Sequence, residues 1–514
     1  MRLQHGSGDA TRVAIAGIAL ALAFGLAGCA SRTRETPSVR AIWVVGRALP
    51  DFDPQGPPDP VRVAIERLLS RGLVEEDSSG RVIPAAAESV SVSDDGLTVR
   101  FHLRPDLTFA DGTRCDSQSF RRAIESGLNR LDHGTYAWLF SALDGMGKVR
   151  AGRPLPALGI TNPDAGTLVL TLAHPDAQFL RKLAFPGAAV PWRAGSGWRD
   201  GIGDYALVSA SPQRLTLVRR ARAPAGPDSI QIRSVPAASR VRALLRASAP
   251  DLVWPLPPDL VDQRLPGAYR ALARAARPMR RLELVFRPDL PPTSKPEARH
   301  ALANGLNRGE LIDALGIAGD DRSVGLSGAP PFDFPTNDPE QVRGWLERGK
   351  LGRSVHVVMA YSTDGPAARV ARPLQNEWAQ NSIDVELRAV REPDVSAELL
   401  RKGGAQLLLV EEQAALETAA AELATLVQPM RGPPVGAFRT GWSTREFDPW
   451  IWGAASPATL DAGVAQQRLA EEHVVLPIAD LPWLWVQRSD MGGRFHPRFG
   501  PDPRGFALPP GAAP

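Results

Sequence analysis

The stretch that most restricts the fold runs from Val90 to Leu103, where apolar and polar residues alternate on either side of Ser93-Asp94-Asp95-Gly96. A period of two fits a strand with one buried face, and Asp-Gly suits a tight turn that needs positive φ. The spacing predicts a β-hairpin in defined register. Two further turns follow at Arg104-Pro105-Asp106 and Asp111-Gly112-Thr113, and Asp116 or Ser117 is placed to cap a helix through Phe120, Ile124 and Leu128.

Composition describes a large globular body. Hydrophobic residues make up 43% of the 514 residues, enough to fill substantial cores, while 47 glycines and 48 prolines stay below the level of a disordered chain. The net charge is +4 and the pI about 9.3. Charges of both signs are scattered, with no basic cluster interleaved with aromatics, so nucleic acid is not an expected partner. Neither G-x-S-x-G nor H-E-x-x-H occurs, and the eight histidines are dispersed. The chain is therefore expected to be no enzyme and to hold no metal or cofactor.

At the N-terminus Arg2 and Arg12 precede an apolar run from Val13 to Leu26, too short for a stable membrane span, which marks residues 1–28 as a signal peptide. Leu26-Ala27-Gly28-Cys29 resembles a bacterial lipobox. That resemblance implies cleavage before Cys29, acylation of its thiol and a lipid-anchored linker over residues 29–40. Ordinary secretion with an unmodified Cys29 is the alternative. Cys115 is the one other cysteine, so the mature chain has no disulfide framework.

The segment from Gly80 to Phe120 resembles the extracytoplasmic solute-binding proteins of family 5, the peptide- and nickel-binding receptors of ABC importers. Pro84, Ala87, Glu88, Ser89, Ser93 to Gly96, Thr98, Phe101, Leu103, Arg104, Phe109 and Asp111 to Thr113 carry the match. It recurs in order along the chain, at Leu49 to Pro54, at a helix from Val63 to Leu73, and at Gly201 to Val208, where Asp204 replaces a proline. Further blocks are Lys295 to Ile312, Trp442 to Asp448 and Leu469 to Ile478. Independently of the resemblance, Val355–Met359, Ala367–Gln380 and Val385–Leu387 read as a strand, a helix and a strand of a βαβ unit.

The resemblance implies an α/β fold of the two-lobed periplasmic-binding-protein type (type II, cluster C), with a hinge and an interlobe cleft. Lobe I would span 41–280, lobe II 281–476, and a return segment 477–508 would complete lobe I. The implied role is a monomeric receptor anchored through Cys29 outside a bacterial membrane, passing a peptide-like solute to an ABC permease. Family members commonly supply an aspartate for the peptide's ammonium group from a stretch that corresponds here to Gln406–Gln413. This chain lacks the family's tryptophan and Asp-Pro there and offers Glu411 and Glu412 instead. These either replace the aspartate or begin a helix from Ala414 to Leu426, where the helix dipole favours negative charge. Gln55, Gly56, Tyr136 and Trp138 are the other candidate cleft residues. Two readings stay open beside peptide import: a nickel-complex or oligosaccharide receptor, and a degenerate scaffold serving as a sensor or partner lipoprotein.

Overall fold

The hairpin forms as its pattern requires. In the computed structural model Ala87–Val92 pairs antiparallel with Thr98–Leu103, Val90 facing Phe101 and Val92 facing Val99. Gly96 turns the chain at φ +70°, and the Asp95 carboxylate accepts from the Leu97 N–H and the Ser93 hydroxyl. Val99, Phe101 and Leu103 are buried, whereas Arg100 and His102 are exposed. Thr167–Thr171 and Ile160–Asp164 extend the pair to a four-stranded sheet. The helix Ser117–Leu128 packs its Phe120, Ala123, Ile124 and Leu128 into the same core. Asp116 is its cap, accepting from the Ser119 N–H at 2.9 Å while the Ser119 hydroxyl accepts in return from the Asp116 N–H.

The structure describes residues 40–505 except 51–58, 130–136, 150–152, 187–200, 222, 224–225, 258–259, 261–263, 275–279, 317–324, 353, 364, 391–403, 414–417, 427–441, 443–445, 452–458, 482, 493 and 497. All of these belong to one unit, Val39–Gly511. Among the described residues no helix is long and apolar enough to cross a membrane.

A seven-stranded sheet runs in the order Tyr269–Arg274, Trp483–Arg488, Leu252–Val253, Arg40–Val45, Ser229–Ser234, Arg214–Arg219, Tyr205–Ser211. Arg40–Val45 lies parallel to both of its neighbours. The helix Pro60–Leu69 covers one face, over Trp43, Ile230, Ile232, Leu215 and Leu217. It starts with Asp59 as cap and Pro60 in its first turn, and it stops at Leu69 instead of continuing to Leu73. Gly201 and Gly203 abut its end, where a Cβ on Gly201 would sit 2.0 Å from the Leu69 carbonyl oxygen. Asp204, in the position the resemblance gives to proline, pairs with Arg71 at 2.5 Å and with Arg504 at 3.6 Å. Ion pairs thus hold this turn where ring rigidity is lacking.

A five-stranded sheet follows the order Ile383–Val390, Val355–Ser362, Leu407–Gln413, Arg280–Phe286, Val475–Asp480. The first three strands are parallel, and the expected βαβ unit is present with Pro366–Gln380 as its helix. Val370, Ala371, Leu374 and Trp378 form the buried stripe of that helix, and the Trp378 indole donates to the Leu302 carbonyl. The chain thus leaves the seven-stranded sheet after Arg274, enters the five-stranded one at Arg280, and returns between Asp480 and Trp483.

Candidate functional site

Open α/β sheets present their ligand-binding loops at the carboxyl ends of parallel strands. In the seven-stranded sheet that edge is formed by Val45, Val253 and Ser234 and the residues after them. Gly46 there approaches the 254–257 segment so closely that a Cβ would lie 2.5 Å from the Pro255 carbonyl oxygen. Trp43 stacks on Trp254 with centroids 5.8 Å apart and donates its indole N–H to the Trp254 carbonyl at 2.7 Å. Arg47 accepts the Ser234 hydroxyl on its carbonyl and pairs through its guanidinium with Asp59 at 2.5 Å. Both partners of that pair are buried, so it ties the end of the Arg40–Val45 strand to the cap of the Pro60–Leu69 helix.

In the five-stranded sheet the corresponding edge carries Glu411. Leu407, Leu408, Leu409 and Val410 are buried, and the strand continues through Glu411, which is half-buried, to Gln413. The two glutamates are strand residues, and the helix that follows is Ala419–Leu426. Their place is therefore the sheet edge and not a helix start. A Cβ on Gly365 would lie 3.8 Å from Glu411 Oε2, and Gly365 is the cap of the helix Pro366–Gln380. The carboxylate thus faces the positive end of a helix dipole. Gly365 has φ +79° and ψ −159°, a conformation open to glycine alone, which keeps the cap free of a side chain beside the carboxylate.

Among the other candidates, Glu412 stands opposite Arg281 in the strand register. Trp138 lies in the 3-10 turn Ala137–Phe140. Gln55, Gly56, Tyr136 and Cys29 lie outside the described residues.

The sequence reading missed a buried charge cluster beside this edge. Arg281 reaches Asp480 at 2.9 Å, Glu422 at 3.4 Å and Glu283 at 3.7 Å, and donates to the Gly325 carbonyl. All four charged residues are less than a tenth exposed. One guanidinium is shared among three carboxylates, so it cannot offset the burial of each. Desolvation pushes Glu422 up to about 8 and Glu283 up to about 7, against the attraction of Arg281. Arg281 and Asp480 lie on the strands by which the chain enters and leaves this sheet, and Glu422 ties the Ala419–Leu426 helix to both. A lone glutamate inside the run Ala419-Ala-Ala-Glu422-Leu was the available sequence signal.

No group of three or more His, Cys, Asp or Glu side chains that could hold a metal ion occurs among the described residues. The model of the bacterial extracellular solute-binding proteins, family 5, matches residues 81–450. The chain belongs to this family. Among curated proteins it is 23% identical to the glutathione-binding protein GsiB of Salmonella paratyphi A, over 89% of this chain and 91% of that one. A dipeptide-binding protein of Lactococcus lactis is 26% identical over 35% of this chain, a match that spans 31% of the relative. Haemophilus influenzae OppA, solved with the peptide RPPGFSPFR, superposes with a TM-score of 0.78 at 18% identity, covering 92% of this chain and 99% of that one. The Escherichia coli murein tripeptide binding protein MppA gives the same TM-score at 17% identity. The fold is thus the two-lobed, cleft-containing type expected, and the family consists of binding proteins rather than enzymes.

Proposed function

We propose that the chain is a lipid-anchored receptor of an ABC importer, which closes its two lobes on a peptide-like solute and hands it unaltered to a membrane permease. The observation that carries the ligand class is Glu411, a carboxylate held at the carboxyl edge of the second sheet by a buried strand and a helix cap. An extended peptide offers an ammonium group that needs an anionic partner once water is excluded, because an unpaired buried charge costs several kcal/mol. The apolar run from Val13 to Leu26 and the lipobox ending at Cys29 support the signal peptide and lipid anchor, and the resemblance recurring along the chain supports lobe boundaries near residues 280 and 476. Gln55, Gly56, Tyr136, Trp138 and Glu412 complete the proposed lining.

Ligand panels decide the matter. A peptide present at about 100 times its dissociation constant should stabilise the protein by about 2.7 kcal/mol, read as a raised melting temperature. Glu411→Gln should weaken peptides with a free amino terminus about tenfold or more and leave N-acetylated peptides unaffected. Affinity of the variant for free-amino peptides equal to that of wild type removes Glu411 from the site. A melting temperature unmoved by peptides, sugars and nickel complexes alike removes the transport reading and leaves the degenerate scaffold, which the missing tryptophan and Asp-Pro around Glu411 favour.

A further inference from the structure

Charge is unevenly spread along the chain. Between Asp204 and Asp251 it carries eight arginines and one acid, Asp228, a net charge of +7 where the whole chain nets +4, so the remainder is net negative. This segment builds Tyr205–Ser211, Arg214–Arg219 and Ser229–Ser234 at one edge of the seven-stranded sheet, and then the helix Ala238–Arg246. Arg219 pairs with Asp228 at 2.6 Å, and Arg220 donates to the Thr108 and Gly201 carbonyls.

Strand register puts Arg214, Arg233 and Arg40 on one face. Arg214 stands opposite Arg233, and Arg233 opposite Val44, which shares its side of the Arg40–Val45 strand with Arg40. This is the face opposite the Pro60–Leu69 helix, since Trp43, Leu215 and Ile232 of the core beneath that helix alternate with these residues. The helix Ala238–Arg246 packs on the same face through Val241 and Leu245, which share a core with Val44, and Arg240 and Arg246 flank that buried stripe. Arg40, Arg214, Arg240 and Arg246 are exposed, and Arg233 is half-buried. Burial and the nearby charges of Arg214 and Arg40 lower Arg233 from its ordinary value. Like charges gathered in this way repel one another in water and are drawn together to an anionic surface.

We infer that this face docks on the anionic phospholipid headgroups of the membrane that holds the chain, and so fixes the orientation of the anchored protein. The inference rests on the lipid anchor proposed above, and the path of the chain selects a membrane from among anionic surfaces. Arg40 lies eleven residues beyond Cys29, a length that spans at most about 40 Å, and Arg40 is itself part of the basic face. The tether therefore joins the body at the side that carries the arginines. A guanidinium holds a phosphate through two parallel N–H bonds, and each basic residue at such a surface raises affinity about fivefold.

Cosedimentation with vesicles of phosphatidylcholine, alone or mixed equally with phosphatidylglycerol, tests this on the full chain carrying Cys29→Ser, in which no acyl chain contributes. Binding should be tighter to the mixed vesicles and should fall as salt rises from about 50 mM to about 500 mM. Arg40→Gln, Arg214→Gln and Arg240→Gln together should lower that affinity about a hundredfold while the melting temperature stays put. The same change at Arg81, Arg100 and Arg343, exposed residues of other elements, should leave it nearly unaltered, since screening limits the reach of a charge to about 10 Å. The inference is overturned by any of four results: equal binding to both vesicles, binding insensitive to salt, equal losses in the two triple variants, or release by glycerol phosphate at constant ionic strength, which would mark a discrete phosphate site. Poly-glutamate beads bound in place of the mixed vesicles would overturn it too and give the face to an acidic protein. The mass of protein extracted from membranes reports acylation separately, so an unmodified Cys29 refutes the anchor while the vesicle outcome stands on its own.

Discussion

Single buried charges decide much of this molecule's stability, and Glu422 shows how. Its carboxyl is pushed up to about 8 by burial, above the usual 4.5, so the folded protein holds a proton that the unfolded chain releases between those values. Stability from this group is complete below about pH 4.5 and is lost as the pH rises through about 8, with a slope of at most about 1.4 kcal/mol per pH unit for one proton. His473 works in the opposite direction, since burial lowers it to about 3, so stability from that site grows as the pH rises towards 6.5. The comparison that isolates Glu422 is therefore between wild type and Glu422→Gln, which keeps an oxygen for the Ser327 N–H. From pH 5 to pH 8 the variant should gain on wild type in urea midpoint, and parallel pH profiles would show that Glu422 does not titrate there. Arg498 presents the complementary case. It is fully buried, paired with Glu76 and lodged between Phe185 and Phe499. Arg498→Met should cost up to about 3–5 kcal/mol by leaving the buried Glu76 charge to the more distant Arg181, at 3.6 Å, and adding Glu76→Met should recover most of that loss. Urea unfolding of the four proteins in the cycle reads both terms, and additivity of the two single changes would mean that the pair is not coupled.

At the scale of elements, what the sequence revealed depended on how local each signal is. The hairpin, the Asp116 cap and the strand-helix-strand unit are written in residues close in sequence, and each forms as its spacing predicts. Asp116→Ala should accordingly cost about 1 kcal/mol in thermal or urea unfolding, with Asp116→Asn close to wild type; equal losses in both would assign the effect to packing rather than capping. The end of the Pro60–Leu69 helix was less legible, because its stop depends on Gly201 and Gly203 arriving from a distant segment. The Arg281 cluster was invisible for the same reason. Arg281 and Glu283 alternate with Leu282, Leu284 and Phe286, the pattern of a strand with one wet face. Their partners Glu422 and Asp480 stand 141 and 199 residues away, so nothing nearby signals that the polar face is covered. Glu411 was legible as the end of an apolar strand, but the helix cap that faces it was not.

Across the whole molecule the chain's path makes the first sheet depend on its last hundred residues. Trp483–Arg488 lies between Tyr269–Arg274 and Leu252–Val253 and pairs antiparallel with both. Without it, Tyr269–Arg274 has no partner in the sheet and Leu252–Val253 becomes an open edge. Arg498 and His496, which clamp the Glu76 region from the same return segment, would be lost with it. The five-stranded sheet, by contrast, is complete at Asp480, where the Val475–Asp480 strand closes its edge against Arg280–Phe286. A chain ending at Asp480 should therefore keep protection from proteolysis over residues 280–480 and lose it over residues 40–274. Supplying residues 481–505 as a separate peptide should restore protection to the first region. Uniform protection of the truncated chain, or uniform collapse with no recovery on adding the peptide, would show that the two sheets do not stabilise independently. Independent stabilisation of the two sheets is also what rigid-body closure of the proposed lobes would require.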